Sequence, residues 1–258
     1  MRNSVILILM FCGLTAGGQS WDDMREQMEK KMDKLTMRGS VVAPTYYHDG
    51  SVQLAKFTHI RFATIQTFDQ SYEGVKGTPY ISEEWMKGAA LLSGSEEPQV
   101  ALLNYDCVND ELLVRMEDGL PASLPKSHVH SFILYDEQET PRYRHFVVAT
   151  PGTRDPRFCE VLHSGRTIFL VHPKKTFRKS DYQRAYSPGR KFDEYLDESI
   201  YYLKTEDGNW TKLKSGRKQV LALFPENRDL LEKYTEEQQL KLNTPGEIIR
   251  LLEYDDTL

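Results

Sequence analysis

Hydrophobic residues recur along this chain with two different periods, and the changes of period divide it. Over residues 20–37, SWDDMREQMEKKMDKLTM, the apolar residues Trp21, Met24, Met28, Met32 and Leu35 repeat at helical spacing. That spacing puts them on one face of an amphipathic helix. Ser20 stands where an N-cap is wanted, and Asp22 and Asp23 place negative charge in the first turn, where the helix dipole favours it. A methionine-rich face of this kind either packs on its own domain or docks a partner or a membrane surface, as in a chaperone-like or adhesive protein.

From about residue 40 to 213 the pattern changes to short extended runs. KFTHIRFATIQTF alternates over Lys56–Phe68, and QVALLNYDCV and ELLVRM are separated by a hairpin signal at Asn109-Asp110. HVHSFILY and RYRHFVVA follow, then FCEVLH and RTIFLVHP joined by Ser-Gly, then SIYYLK and WTKL joined through Asp207-Gly208. Strands joined by short links, with no helical pattern between them, pair antiparallel. The 14 Tyr and 11 Phe agree with a β-rich chain.

Residues 215–258 turn helical again. SGRKQVLALF stops before Pro225. Asn227 caps a second run with Leu230, Leu231 and Tyr234 as its apolar face. Thr244 caps a third, with Pro245 at the first helical position and Ile248, Leu251 and Leu252 facing in. The expected fold is mainly β, of the α+β class: an antiparallel meander, sandwich or barrel-like sheet with an N-terminal helix and short C-terminal helices. Without a linker or repeat, residues 19–258 read as a single domain.

The first 18 residues are of a different kind. Arg2, the apolar run Val5–Leu14 and the small residues Ala16-Gly17-Gly18 have the order of a secretory signal peptide cut after Gly18. The apolar run is about ten residues, too short to span a bilayer, and no later segment is long and apolar enough. The expectation is an exported chain, in the periplasm or secreted, with no transmembrane span after cleavage. Export also bears on Cys107 and Cys159, which either form a disulfide or remain buried free thiols.

The candidate chemistry is sparse. His128 and His130, in SHVHSF, would share one face of a strand with Phe132 and Leu134. Such a pair is either a metal site at a barrel mouth, with His145 or His163 as a third ligand, or two strand-end histidines satisfied by neighbours. The first reading makes the protein a metal-dependent β-barrel enzyme. Cys159 and His163 would flank Val161 on one face, where apolar surroundings leave the thiol inert. H-E-x-x-H, G-x-S-x-G and the glycine-rich phosphate loops are absent. No cofactor is expected.

Charge is more informative. The whole chain carries a formal −5, but Arg142–Lys191 holds twelve Lys or Arg against three Asp or Glu. The flanks are acidic. The densest part, His172–Phe192, reads as a long loop in which Lys174, Lys175, Arg178, Lys179, Arg184 and Arg190 alternate with Phe177, Tyr182 and Tyr186. Interleaved cations and rings suit an anionic polymer, the charges drawing anions and the ring faces stacking on sugars or bases. Alternatively the loop lies over the protein's own acidic flanks. Export excludes nucleic acid as partner and leaves an envelope glycan, lipopolysaccharide or another protein.

The stretches KGTPYISEEWMKG, LLNYDCVNDELLV, FCEVLHSGRTIFLV and KSGRKQVLALFPENRDLLEKYTEEQQLKL together resemble a group of uncharacterised exported β-rich proteins of Bacteroidota with a C-terminal Lys-rich helix pair. Asn104-Tyr105-Asp106 departs from the Arg-Tyr-Asn order of that group. The resemblance implies a β-rich envelope or secreted protein and supplies no catalytic residues. The functional expectation is a non-enzymatic structural or binding role.

Overall fold

The computed structural model describes residues 20–37, 64–65, 74–116, 118–137, 142–180, 192–214 and 216–258. The first 18 residues, read above as a signal peptide, and most of Lys56–Phe68 lie outside them. Helix α1 (Trp21–Met37) is followed by β1 (Thr64–Ile65), β2 (Val75–Lys76), β3 (Met86–Leu92), β4 (Gln99–Asp106), β5 (Glu111–Arg115) and β6 (Pro121–Leu124). A 3-10 turn (Lys126–His128) leads to β7 (Val129–Asp136), β8 (Arg142–Ala149), β9 (Arg157–Ser164), β10 (Ile168–His172), β11 (Lys175–Arg178), β12 (Asp193–Asp197), β13 (Ile200–Lys204) and β14 (Trp210–Leu213). Three helices close the chain: α2 (Arg217–Leu221), α3 (Arg228–Glu237) and α4 (Pro245–Asp255). The fold is mostly β, as the residue pattern implies.

Among the described residues, eleven strands form one antiparallel sheet in the order β1-β6-β5-β4-β3-β7-β8-β9-β10-β13-β14. A small sheet, β11-β12-β2, pairs β12 with β11 antiparallel and with β2 parallel. The large sheet cannot be flat. β6 and β7 lie four strand spacings apart, roughly 19 Å in a flat sheet, yet only Pro125–His128 joins Leu124 to Val129. Five fully extended steps reach roughly 17 Å, and three of the linking residues are wound into a 3-10 turn that shortens them. The sheet therefore curls until the two strands approach, without closing into a barrel.

The curl encloses the main core. The buried Tyr105 of β4 meets Phe132, Phe146 and Phe158 of β7, β8 and β9, and Phe132 stacks on Phe146 at 4.6 Å. Leu103, Leu112, Val114 and Leu124 complete this cluster. The β4–β5 turn, Cys107–Asp110, locks it. Asp110 Oδ1 accepts from the Tyr105 hydroxyl at 2.8 Å and from the Phe158 backbone N–H at 3.2 Å, while Oδ2 accepts from Lys126 Nζ at 2.5 Å. One carboxylate thus joins the hairpin, the 3-10 turn and β9. The turn has four residues, not the two that Asn109-Asp110 suggests. Asp106 holds it by accepting from the backbone N–H groups of Val108 and Asn109, both at 2.9 Å, an Asx-type arrangement.

On the same face, farther along the sheet, Phe169, Leu203 and Leu213 pack under the C-terminal helices with Val220, Leu231, Ile248, Leu251 and Leu252. Thr244 and Glu247 make the full capping box of α4, with Pro245 at its start. Asn227 precedes α3 but its side chain caps nothing; it donates to Asp255 at 2.8 Å. Leu230 is half exposed, not part of the apolar face. The turn between β9 and β10 docks the last helix: Asp256 accepts from the Arg166 backbone N–H at 2.9 Å, and its carboxylate fills the space where a Gly165 Cβ would stand.

The opposite face is covered by α1. Met24, Met28 and Met32 are buried on Ala89, Leu91 and Ile133, so this part of the stripe packs on its own sheet; the side chains of Trp21 and Leu35 lie outside the described residues. Ser20 caps the helix by accepting from the Asp23 N–H at 3.1 Å. Val147, Cys159, Ile168 and Leu170 form a neighbouring cluster on this face. Cys107 and Cys159 are free thiols in different clusters, Cys107 inside the curl and Cys159 in this one. They form no disulfide, and burial pushes both up to about 12.

Two expected outcomes follow from this packing. Asp110→Ala leaves a buried hydroxyl, a lysine and a backbone N–H without their acceptor, and should cost about 2–4 kcal/mol, read as a lower urea midpoint; an unchanged midpoint would show the curl held without it. His145, on β8 near α1, is buried with neither ring nitrogen hydrogen-bonded. Burial first, and Arg25 second, lower its pKa from 6.5 to about 3. The unfolded chain therefore takes up a proton before the folded chain does. Stability from this group is full above pH 6.5 and falls by about 1.4 kcal/mol per unit between there and pH 3. In chemical unfolding at stepped pH, His145→Leu should flatten that part of the slope.

Candidate anion-binding site

Among the described residues the histidines of SHVHSF are not gathered with further metal-ligand side chains. His128 ends the 3-10 turn, with Nδ1 3.1 Å from Ser127 Oγ. His130 is the second residue of β7, but the pairing with β3 slips there: Leu91 faces Ser131 and Leu92 faces Val129. His130 is the extra residue of a β-bulge and points to solvent, while Val129 takes the core position beside Phe132 and Leu134. A second slip, between Phe169/Leu170 on β10, leaves Leu162 as the extra residue of β9. It turns His163 away from the face of Cys159, and His163 Nε2 lies 3.0 Å from Asp256 Oδ2 instead. His145 is beneath α1. Among the described residues no three His, Cys, Asp or Glu side chains are grouped to hold a metal.

The basic stretch is not all loop. Lys175–Arg178 is strand β11, set against β12 through Thr176–Leu196 and Phe177–Tyr195 pairs. Its cations are largely engaged within the chain. Lys175 Nζ donates to the carbonyls of Thr78 and Tyr80, at 3.1 and 2.5 Å. Arg178 pairs with Glu194, and Lys174 lies 4.0 Å from Glu198. The acidic partners come from β12 and the residue after it, not from the C-terminal helices. Phe177 lies 5.1 Å from Tyr195, ring to ring. Lys179 follows β11; Tyr182, Arg184, Tyr186 and Arg190 lie outside the described residues.

Two clefts meet at Lys174. One, of about 420 Å³, lies on the helix-covered face and includes Arg142, Arg144, Lys175, Glu160 and Asp197. At its floor Arg144 grips Glu160 with two hydrogen bonds, 3.0 and 2.6 Å, in a largely buried pair. That pairing cancels much of the charge there and fixes β8 to β9.

The other cleft, of about 710 Å³, is on the opposite face and is bordered by Arg157, His172, Lys174, Tyr202, Trp210 and Lys212, with Pro151–Thr153 at one side. Its residues come together because of strand pairing. The Asp207-Gly208 turn, with Gly208 at φ +81°, folds β14 back so that Trp210 opposes Lys204 and Lys212 opposes Tyr202. Asp207 stabilises the turn by accepting from Thr205 and Asn209, bonds that hold its carboxyl below the usual range. Alternation sends Tyr201, Leu203 and Leu213 under the helices and leaves Tyr202, Trp210 and Lys212 on the cleft side. Arg157 donates to the Tyr202 hydroxyl at 3.4 Å. His172 Nδ1 lies 3.0 Å from the Phe158 carbonyl, so that nitrogen carries the proton, and burial lowers its pKa.

Among the described residues no carboxylate borders this cleft. Among the described residues neither Arg157 nor Lys212 makes a salt bridge. The arrangement can attract an anion and offer it ring faces; among the described residues that border it, no nucleophile is paired with a base. The sequence pattern points to Lys174 but not to Arg157, Tyr202, Trp210 or Lys212. Their one local signal is the Trp-Thr-Lys alternation of β14, which sets a ring and a cation on one face. Comparison of the chain with protein-family models, with curated proteins and with solved structures finds no match.

Proposed function

We propose that this chain is a non-enzymatic, exported binding component of a bacterial envelope or its secretions, holding an anionic partner at the Trp210 cleft. The observation that carries the reading is the set of cations, Arg157, Lys174 and Lys212, gathered in a concave surface that no carboxylate borders among the described residues, Lys174 alone of the three having one near it, Glu198 at 4.0 Å. In a chain of net charge −5, such a local excess directs an anion to one place, and concave walls strengthen its field. The signal-like N-terminus and the resemblance to exported Bacteroidota proteins support the location. The basic β11 segment has a mainly structural part in this reading, since Lys175 and Arg178 are engaged by neighbouring strands.

The secreted chain, passed over immobilised lipopolysaccharide at low salt, should be retained and then released as ionic strength rises past about 0.15 M, where screening shortens to about 8 Å. The double variant Lys174→Glu/Lys212→Glu alters two exposed side chains and should weaken retention by about tenfold or more. Equal, salt-sensitive retention of the variant would remove the cleft from the function.

A further inference from the structure

The cleft's composition narrows the chemistry of its ligand. Resting on the anionic-partner reading, we propose that the Trp210 cleft is a saccharide subsite: it takes a sugar ring that carries a carboxylate, sulfate or phosphate. The apolar face of the ring lies on the Trp210 indole and the charged substituent reaches Arg157 and Lys212.

Three features favour a sugar over a bare polyanion. Trp210 is half-buried: it packs on the cluster of Val147, Cys159, Ile168 and Leu170 and also borders the cleft. A ring anchored in this way offers a stacking surface at small entropic cost. Secondly, Trp210 and Lys212 are alternate residues of β14, about 7 Å apart along one face, and Lys212 stands opposite Tyr202. That spacing sets a charge one substituent's length from a stacked ring. Thirdly, the polar groups around it suit hydroxyls. Thr153 donates its hydroxyl hydrogen to the Asp155 carbonyl, leaving its oxygen free to accept, and Tyr202 accepts from Arg157 while keeping its own hydrogen to donate.

The volume, about 710 Å³, lies within the range of small-ligand sites. It fits a short saccharide stretch rather than a broad macromolecular face. A row of rings for successive bases, the platform that single-stranded nucleic acid uses, is lacking among the residues that border it. A lone phosphate would need the cations but would leave the indole without a part.

The test compares three probes by calorimetry at low salt: an oligogalacturonate, a neutral oligosaccharide of equal length, and inorganic polyphosphate. The oligogalacturonate should bind and perturb Trp210 fluorescence, while the neutral sugar should not bind detectably. Trp210→Ala should weaken oligogalacturonate about tenfold, the loss expected of a stacked ring, and leave polyphosphate unchanged. Trp210→Phe should recover part of the loss. Lys212→Glu, at an exposed position, should weaken both anions. Should Trp210→Ala fail to fold, Trp210→Leu keeps apolar bulk without a ring face and carries the same expectation. If polyphosphate binds as tightly as oligogalacturonate and Trp210 variants affect neither, the site reads charge alone: the saccharide inference falls and the anionic-partner reading stands. If neither anion binds, both fall.

Discussion

The short connection between β6 and β7 is the constraint from which the rest of the architecture follows. Four residues must join strands that are separated by three others in the hydrogen-bonding order, and only a strongly curled sheet allows it. Curling brings Tyr105 against rings two, three and four strands away in the pairing order and makes a core with one sheet in place of two. The Asp110 carboxylate holds the curl by accepting from three separate elements. Left-handed backbone at Asp110, φ +58°, is a conformation that Asp tolerates better than most residues. The Asn104-Tyr105-Asp106 triplet serves the same region: Asn104 donates to the carbonyls of Ser82 and Glu84, Tyr105 fills the core, and Asp106 shapes the turn.

Curling also sets what the two faces are for. Inside it are aromatic rings and aliphatic side chains; beyond it the same face continues under the C-terminal helices. The reverse face takes α1 at one end and leaves the other end, at β10, β13 and β14, bordering the Trp210 cleft. The fold thus spends its apolar alternation on three covered regions and presents a fourth, partly polar, in which Arg157 of β9, His172 of β10, Lys212 of β14 and Lys174 converge beside Tyr202 of β13. The buried Arg144–Glu160 pair on the helix side shows the opposite use of charge. There a cation is neutralised and fixed, where removing one partner would strand the other in an apolar setting.

Much of the fold was legible along the chain because each short strand carries its own period and its own turn signal. Antiparallel hairpins such as β7–β8 and β13–β14 depend on contacts close in sequence. So do the capping box at Thr244 and the methionine face of α1. The assignments of histidines to shared strand faces failed for one physical reason. Period two assigns faces correctly only while the ladder is regular, and a single extra residue at His130, and another at Leu162, reverses every assignment beyond it. The partners of the basic stretch were hidden for a different reason. Lys175 and Arg178 look free in sequence because their partners, Tyr80 and Glu194, are supplied by other segments.

The sequence by itself determined the kinds of element, their order, the antiparallel pairing of neighbours and the concentration of positive charge in the middle of the chain. These depend on local periodicity, turn chemistry and composition. Only the tertiary structure decided the curl, the bulges, the burial of His145 and the meeting of Arg157, Tyr202, Trp210 and Lys212 in one cleft. Those depend on register and on strand order, which are set by how distant segments share a core, and no local pattern carries that information.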